Sequence, residues 1–222
     1  MSHKKCPVCG TEMKSIEILK NKLNTANVVE DWSIKVNRAD LDIYKCPVCE
    51  HGAIDNFLDK EFYTDFSVAL GGDIDNVAAI NQRSKQFGPM IQFMSDNAPD
   101  TESLLEIGSG CGYLLNAAKN KFTKILGVEP SKVEYEISKQ VASGCEVIND
   151  FFSSALNIKN RFSAFIATMV FEHIPDIGDA IRYAYDVLKD DGIGFITVPN
   201  GQRAFRGGVT MIYIPSICTI FH

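Results

Sequence analysis

Residues 104–113 read Leu-Leu-Glu-Ile-Gly-Ser-Gly-Cys-Gly-Tyr. An apolar run leads directly into three alternating glycines, and a helix-like stretch follows at 113–119. This passage is typical of a strand, tight turn and helix in a parallel α/β sheet, where glycines let the backbone approach a ligand. The third glycine comes one residue too early for the dinucleotide-binding pattern Gly-x-Gly-x-x-Gly, so a dehydrogenase is the weakest functional hypothesis.

Strand-like and helix-like segments alternate from residue 103 to residue 198. Ser131 and Glu134 have the spacing of a capping box, which predicts a helix start, and 189–192 predicts a turn before the last strand. This alternation is the signature of an α/β fold with a parallel sheet. The predicted strands cover residues 103–107, 124–129, 145–148, 163–168 and 193–198.

Three acidic residues accompany the first three predicted strands. Glu106 precedes the glycines, Glu129 ends the second strand, and Asp150 follows the third. The carboxyl ends of parallel strands meet at one edge of a sheet, where open α/β folds bind ligands. Glu129 can accept both ribose hydroxyls of a nucleoside, and Asp150 can accept from an adenine amino group with Phe151 beside the ring. Each acid taken alone could equally cap a helix or a turn.

At these residues the chain resembles the class I S-adenosylmethionine-dependent methyltransferases. The resemblance covers about residues 80–200 and includes 104–113, 127–131, 162–173 and 188–192. It implies a Rossmann-like sheet and S-adenosyl-L-methionine as cofactor. It also implies that Glu106 lies near the methionine amino group, that the glycines wrap the cofactor, and that Glu129 holds the ribose. The residues expected to bind the cofactor are Glu106, Gly108, Ser109, Gly110, Gly112, Glu129, Pro130, Asp150, Phe151 and Met169.

His173 is the candidate catalytic base. It follows the fourth predicted strand within Phe171-Glu-His-Ile-Pro175, which brings it to the carboxyl edge of the sheet. A base there could take a proton from a hydroxyl or an acidic carbon of the methyl acceptor. A structural role in the loop is the alternative, and we weigh it above the catalytic one. We interpret Cys111, inside the glycine loop, as a packing residue.

Two identical Cys-Pro-Val-Cys tetrapeptides indicate a metal site near the N-terminus. They supply Cys6, Cys9, Cys46 and Cys49, and the sequence ahead of them has no apolar stretch typical of a signal peptide. Paired Cys-x-x-Cys in such a context predicts metal binding in preference to disulfides. Four thiolates match a closed structural zinc site. Iron in a rubredoxin-like centre and a redox pair are the alternatives.

The cysteine pairs define a small zinc-ribbon-like module over residues 1–55, in which Gly10 and Gly52 are expected to supply positive-φ turns. This module resembles the zinc-binding domain that precedes the methyltransferase domain in bacterial sugar C-methyltransferases. That resemblance implies a small polar acceptor, with a nucleotide-linked sugar as the specific candidate.

Composition restricts the remaining function classes. The 222 residues contain 22 Lys and Arg against 28 Asp and Glu, a net charge of −6. This balance disfavours a nucleic-acid partner, so an rRNA methyltransferase is a second hypothesis only. No run reaches the roughly 18 apolar residues of a membrane helix, and we expect a cytoplasmic protein without membrane contact. The oligomeric state does not follow from the sequence.

The predicted organisation is a zinc-binding module at 1–55, a helical connector at 56–100 and a methyltransferase domain at 101–222. A class I sheet ordinarily continues to a sixth and an antiparallel seventh strand. After Asn200 only 209–214 predicts one more strand, so we expect a domain that is incomplete at its C-terminus. A truncated domain that binds cofactor or a partner without turnover is therefore a third hypothesis.

Overall fold

The structure is a computed structural model that describes residues 4–15, 43–54, 76–159, 161–174, 176–198 and 217–221. The chain divides into two compact units. One comprises residues 1–58 and 199–217, and the other comprises residues 59–198 and 218–222.

The first unit contains a small antiparallel sheet in the order β1-β2-β3. Its strands are β1 (Lys14–Ser15), β2 (Ile43–Lys45) and β3 (Gly52–Ile54). Buried side chains between the two cysteine turns form a small cluster in the described part of this unit. They are Cys6, Met13, Tyr44 and Cys46.

Each of the two cysteine turns has a residue with positive φ directly after its second cysteine. Gly10, directly after the first pair, has φ of 73°. The prediction that Gly52 supplies the second positive-φ turn is wrong, because Glu50 has φ of 61° and occupies that position. In each turn the residue after the second cysteine donates its main-chain N–H to the carbonyl of the first cysteine, at 2.9 Å for Gly10 and 3.1 Å for Glu50.

The second unit is built on a six-stranded sheet in the order β6-β5-β4-β7-β8-β9. Strands β4 to β8 pair in parallel, which confirms the predicted α/β fold. The sixth strand was not predicted, and the segment 209–214 lies outside the described residues. The strands are β4 (Ser103–Ile107), β5 (Lys124–Val128), β6 (Glu146–Ile148), β7 (Phe162–Thr168), β8 (Leu188–Val198) and β9 (Ile217–Phe221).

Strand β8 begins earlier than predicted. Phe162 pairs with Leu188 and Ala164 pairs with Ile193, so the register shifts and residues 189–192 bulge out of the ladder. The prediction of a turn at 189–192 before a strand at 193 is therefore wrong. Main-chain pairing with β7 already starts at Leu188, and the polar segment becomes an irregularity within the strand.

Helices cover both faces of the sheet. Ala180 and Tyr183 of α5 are buried in one apolar cluster, while Ile91 of α2 and Leu114 of α3 are buried in another. Helices α1 and α2 fall within 56–100, where residues 56–75 lie outside the described part. None of the helices in the described ranges is long and apolar enough to cross a membrane. They are α1 (Val77–Ser84), α2 (Gly88–Asn97), α3 (Tyr113–Ala118), α4 (Lys132–Val141) and α5 (Ile177–Asp186).

A network of side-chain hydrogen bonds lies at the amino-terminal edge of the sheet. The fully buried hydroxyl of Ser163 bonds to a carboxylate oxygen of Asp100 and lies 3.4 Å from the Ser103 hydroxyl. Lys189 Nζ donates to Asp100 Oδ2 and to Glu102 Oε2, each at 2.9 Å. These bonds satisfy polar groups at the edge opposite the glycine loop.

Candidate functional site

The glycine loop follows β4, and its three glycines all have positive φ, at 70°, 50° and 81° for Gly108, Gly110 and Gly112. Two of them are also in close contact with neighbours. A Cβ on Gly108 would lie 2.4 Å from Val170 Cγ2, and one on Gly112 would lie 3.0 Å from Ser138 Cβ on α4. The loop therefore requires glycine both for its conformation and for its packing.

Glu129, directly after β5, connects the glycine loop to α4. Its Oε2 accepts a hydrogen bond from Gly110 N and its Oε1 accepts one from Ser131 N, both at 2.8 Å. Ser131 in turn caps α4, because its Oγ accepts from Glu134 N at 3.2 Å. The predicted helix start at Ser131 is confirmed.

Two polar atoms beside this loop are buried without a hydrogen-bond partner among the described residues. They are Oε2 of Glu106 and Oγ of Ser109. Glu106 is 3% exposed and Ser109 is 5% exposed. Because a buried polar atom without a partner is costly, these two atoms are positions at which a bound ligand could form hydrogen bonds.

Burial raises the pKa of several acids around the loop. It holds the pKa of Glu106 well above its usual range, and the nearby charge of Glu129 adds to this effect. Burial also raises the pKa of Glu129 to about 7, with Glu134 contributing, although the Ser131 and Gly110 amides oppose the rise. The Cys111 thiol reaches about 12 because of burial and the charges of Glu134 and Glu129. A thiol with so high a pKa is a poor nucleophile.

The adenine-side candidates follow β6, the strand next to β5. Asp150 is exposed, and its Oδ1 accepts from Phe151 N at 2.7 Å, while Phe151 itself is half-buried. Asn149 Nδ2 donates to the carbonyls of Glu129 and Pro130, at 2.8 and 3.1 Å. Asn149 thereby connects the loop after β6 to the loop after β5.

The segment after β7 has an unusual backbone and a buried acid. Met169 has φ of 57°, which is strained for a residue other than glycine. Both carboxylate oxygens of Glu172 are buried without a hydrogen-bond partner in the described part of the chain, and burial raises the pKa of Glu172 to about 7. The half-exposed His173 has its Nε2 3.8 Å from Glu172 Oε1, and partial burial lowers its pKa.

The four knuckle cysteines come together in the first unit. Their Sγ atoms all lie within 4.8 Å of one another. Three of the pairs are 3.5, 3.5 and 3.6 Å apart. A tetrahedral ion with bonds of about 2.3 Å to sulfur needs sulfur atoms about 3.8 Å apart. Four thiols at this spacing therefore fit a tetrahedral metal ion.

Residues 80–210, more than half of the chain, match the family described as a methyltransferase domain. This match contains the glycine loop, Glu129, Asp150 and the segment after β7. The chain belongs to the methyltransferase domain family.

Curated relatives share this domain at low identity. The chain is 26% identical over 115 residues to an uncharacterized methyltransferase of Oceanobacillus iheyensis, covering 50% of this chain and 54% of the relative. It is 28% identical over 109 residues to a ubiquinone biosynthesis O-methyltransferase of Pelagibacter ubique, covering 48% and 45%. The chain thus spans about half the length of the curated relatives it matches.

Among solved structures, the methyltransferase domain is similar to an S-adenosylmethionine-dependent methyltransferase from Clostridium acetobutylicum. The TM-score is 0.49 at 17% identity, with 57% of this chain and 53% of the other chain covered.

Three residues of the methyltransferase domain were missed as site residues. The side chain of Val170 packs against Gly108. Asn149 donates a hydrogen bond to the carbonyl of Glu129 in the loop after β5. Glu134, beside Gly110, is 6% exposed. The sequence signal for Glu134 was only its capping-box spacing, and Asn149 stands next to a predicted site residue. Nothing in the sequence indicates the contact of Val170, because it joins residues 62 positions apart.

Proposed function

We propose that the chain is an S-adenosylmethionine-dependent methyltransferase that acts on a small polar metabolite. The main support is a buried carboxylate oxygen of Glu106 that has no hydrogen-bond partner in the described part of the chain and lies next to a positive-φ glycine loop. The chain also belongs to the methyltransferase domain family. A carboxylate in this position fits the ammonium group of a methionine moiety. The loop fits a ligand that the backbone must approach closely.

The residues proposed to bind the cofactor lie on or directly after three adjacent strands, and each strand contributes contacts to a different part of the cofactor. Glu106 on β4 would bind the methionine amino group, and Glu129 after β5 would bind the ribose. Each Glu129 oxygen accepts one main-chain bond, and a carboxylate oxygen has room for a second donor. Asp150 would accept from the adenine amino group, with Phe151 beside the ring.

When bound, the cofactor supplies a methyl group activated by its sulfonium. The chain's own task is alignment of the acceptor and exclusion of water, and positioning of this kind can supply roughly 7–11 kcal/mol in favourable systems. We propose His173 as the base whose Nε2 would take the proton of the methyl acceptor, so that the acceptor atom can receive the methyl group that the cofactor would supply. Burial lowers the pKa of His173, which favours the neutral form that a base requires.

For the acceptor we propose a nucleotide-linked sugar. The support is the resemblance of the cysteine module to the one found in sugar C-methyltransferases. The test is transfer of a labelled methyl group to a panel of nucleotide sugars. His173→Gln should reduce kcat while the affinity for S-adenosylhomocysteine stays within about twofold. Transfer to RNA and to none of the sugars would reject this acceptor class.

We also propose that Cys6, Cys9, Cys46 and Cys49 hold a structural zinc ion. The support is the mutual spacing of their sulfur atoms, and four cysteine ligands leave no open position for catalysis. Metal analysis of the purified protein should find one zinc per chain. An iron-containing protein, or four free thiols in a metal-free folded protein, would contradict this proposal.

Calorimetric titration with S-adenosylhomocysteine tests the cofactor site separately from turnover, with NAD as a control ligand. Saturable 1:1 binding should be lost in Gly110→Asp, because the new carboxylate would lie beside Glu134 Oε2, which is 3.4 Å from a Cβ at that position. Gly144→Asp is the matched control, since Gly144 also has positive φ but no atom of the described residues lies within 4 Å of its Cβ position. Equal loss in both variants, or preference for NAD, would reject the proposed site.

A further inference from the structure

We propose that Glu134 is a further specificity-determining residue of the cofactor site, one that selects ligands with positive charge beside the glycine loop. This inference rests on the proposed function. Glu134 would be the third carboxylate of the site, beside Glu106 and Glu129.

The carboxylate of Glu134 lies beside the glycine loop. Glu134 lies in the first turn of α4 and is 6% exposed. Its Oε2 is 3.4 Å from the point where a Cβ on Gly110 would sit. Gly110 N in turn donates to Glu129 Oε2 at 2.8 Å. The two carboxylates therefore flank the same glycine from α4 and from the end of β5.

Effects on neighbouring groups show that the charge of Glu134 reaches the loop. It contributes to the raised pKa of Glu129 and, after burial, is the largest cause of the raised pKa of the Cys111 thiol. Arg83 of α1 acts on Cys111 in the opposite direction. Its guanidinium donates to the Tyr113 hydroxyl at 3.2 Å and lies 5.5 Å from the centre of that ring.

A buried oxygen of Glu106 supports a cationic ligand for the cluster formed by Glu106, Glu129 and Glu134. Oε2 of Glu106 is buried without a partner among the described residues, and its carboxyl group is electrostatically coupled to Glu129. Three acidic side chains that are each 94% or more buried lie in a region of low dielectric. A cation bound there would stabilise their ionised forms, whereas a phosphate would oppose them. S-adenosylmethionine carries a sulfonium charge that its demethylated product lacks.

The test compares three ligands with zinc-replete, full-length protein. S-adenosylmethionine carries a sulfonium, sinefungin carries an ammonium at the corresponding position, and S-adenosylhomocysteine carries a neutral sulfur. We expect Glu134→Gln to weaken the first two by about tenfold and the third by no more than about twofold, as expected for one charge acting at short range. Glutamine keeps the size and the hydrogen-bonding capacity of the side chain.

Glu136→Gln is the matched control, since Glu136 is on the same helix but is exposed and paired with Lys139 at 2.6 Å. It should leave all three affinities unchanged. Equal weakening of all three ligands by Glu134→Gln, with unfolding unchanged, would show a structural role and overturn the inference, as would no weakening at all. A wild-type protein that binds none of the three would instead reject the proposed function.

Discussion

Gly108 and Val170 are in direct contact across the carboxyl edge of the sheet, since a Cβ on Gly108 would lie 2.4 Å from Val170 Cγ2. The loop after β4 and the loop after β7 thus determine each other's position. Gly108 belongs to the proposed cofactor loop, and Val170 lies three residues before His173. The two sides of the proposed site are therefore coupled by packing.

Gly108→Ala should destabilise the protein by roughly 2–4 kcal/mol, because it combines an unfavourable positive φ with overpacking against Val170. Binding of S-adenosylhomocysteine should weaken at least about tenfold. Urea unfolding and calorimetry measure the two effects. Gly144→Ala has the same backbone cost without a close neighbour and should lose only about 1 kcal/mol. Val170→Ala should restore part of the loss in the Gly108→Ala background, and failure to do so would contradict the contact.

Without ligand, the protein should become less stable as pH rises from about 4.5 to above 7. The folded-state pKa of Glu129 and of Glu172 is about 7, above the usual 4.5, and burial also holds the pKa of Glu106 well above its usual range. A raised acid pKa gives stability that is complete below the unfolded value and is lost as pH rises through the folded one, about 3 kcal/mol for Glu129. Urea unfolding at pH 5 and 7.5 checks this. Glu106→Gln should reduce the difference, whereas the exposed Glu136→Gln should not.

Ser163→Ala should lower the free energy of unfolding by about 1–3 kcal/mol, because the fully buried hydroxyl serves Asp100 and Ser103 and its loss leaves polar groups unsatisfied. Affinity for S-adenosylhomocysteine should not change, since this network closes the opposite edge of the sheet. Ser95→Ala, at an exposed hydroxyl on α2, is the control and should stay within about 0.5 kcal/mol. Equal destabilisation by both substitutions would exclude a special role for the network.

Glu50→Gly should strengthen zinc binding at the proposed four-cysteine site. Glu50 holds φ of 61° at the position that Gly10 occupies in the other turn, and relief of that conformation is worth about 1 kcal/mol. The exposed Lys45–Glu50 ion pair that is lost contributes less than this. A zinc competition assay should show affinity raised a few-fold, and Gly10→Ala should lower it. Weaker zinc binding by Glu50→Gly would mean that the ion pair dominates.

Much of the methyltransferase domain follows from local sequence. The sequence predicts the five parallel strands, the glycine turn at 108–112 and the Ser131 cap, because apolar runs, glycines and capping residues act over a few neighbours. The cysteine pairs likewise predicted the thiol cluster. The bulge at 189–192 and strand β9 were not predicted, since both depend on pairing with a strand distant in sequence.

The sequence by itself determined the α/β fold class, the glycine loop and the types of residue placed at the ends of the strands. Only the tertiary structure decided which of them meet. It brought Val170 onto Gly108, set Glu134 beside Gly110, and buried an oxygen of Glu106 that has no partner among the residues the structure describes. The physical reason is that φ preferences and capping act locally. Burial, carboxylate pKa and packing depend on which distant segments fold against one another.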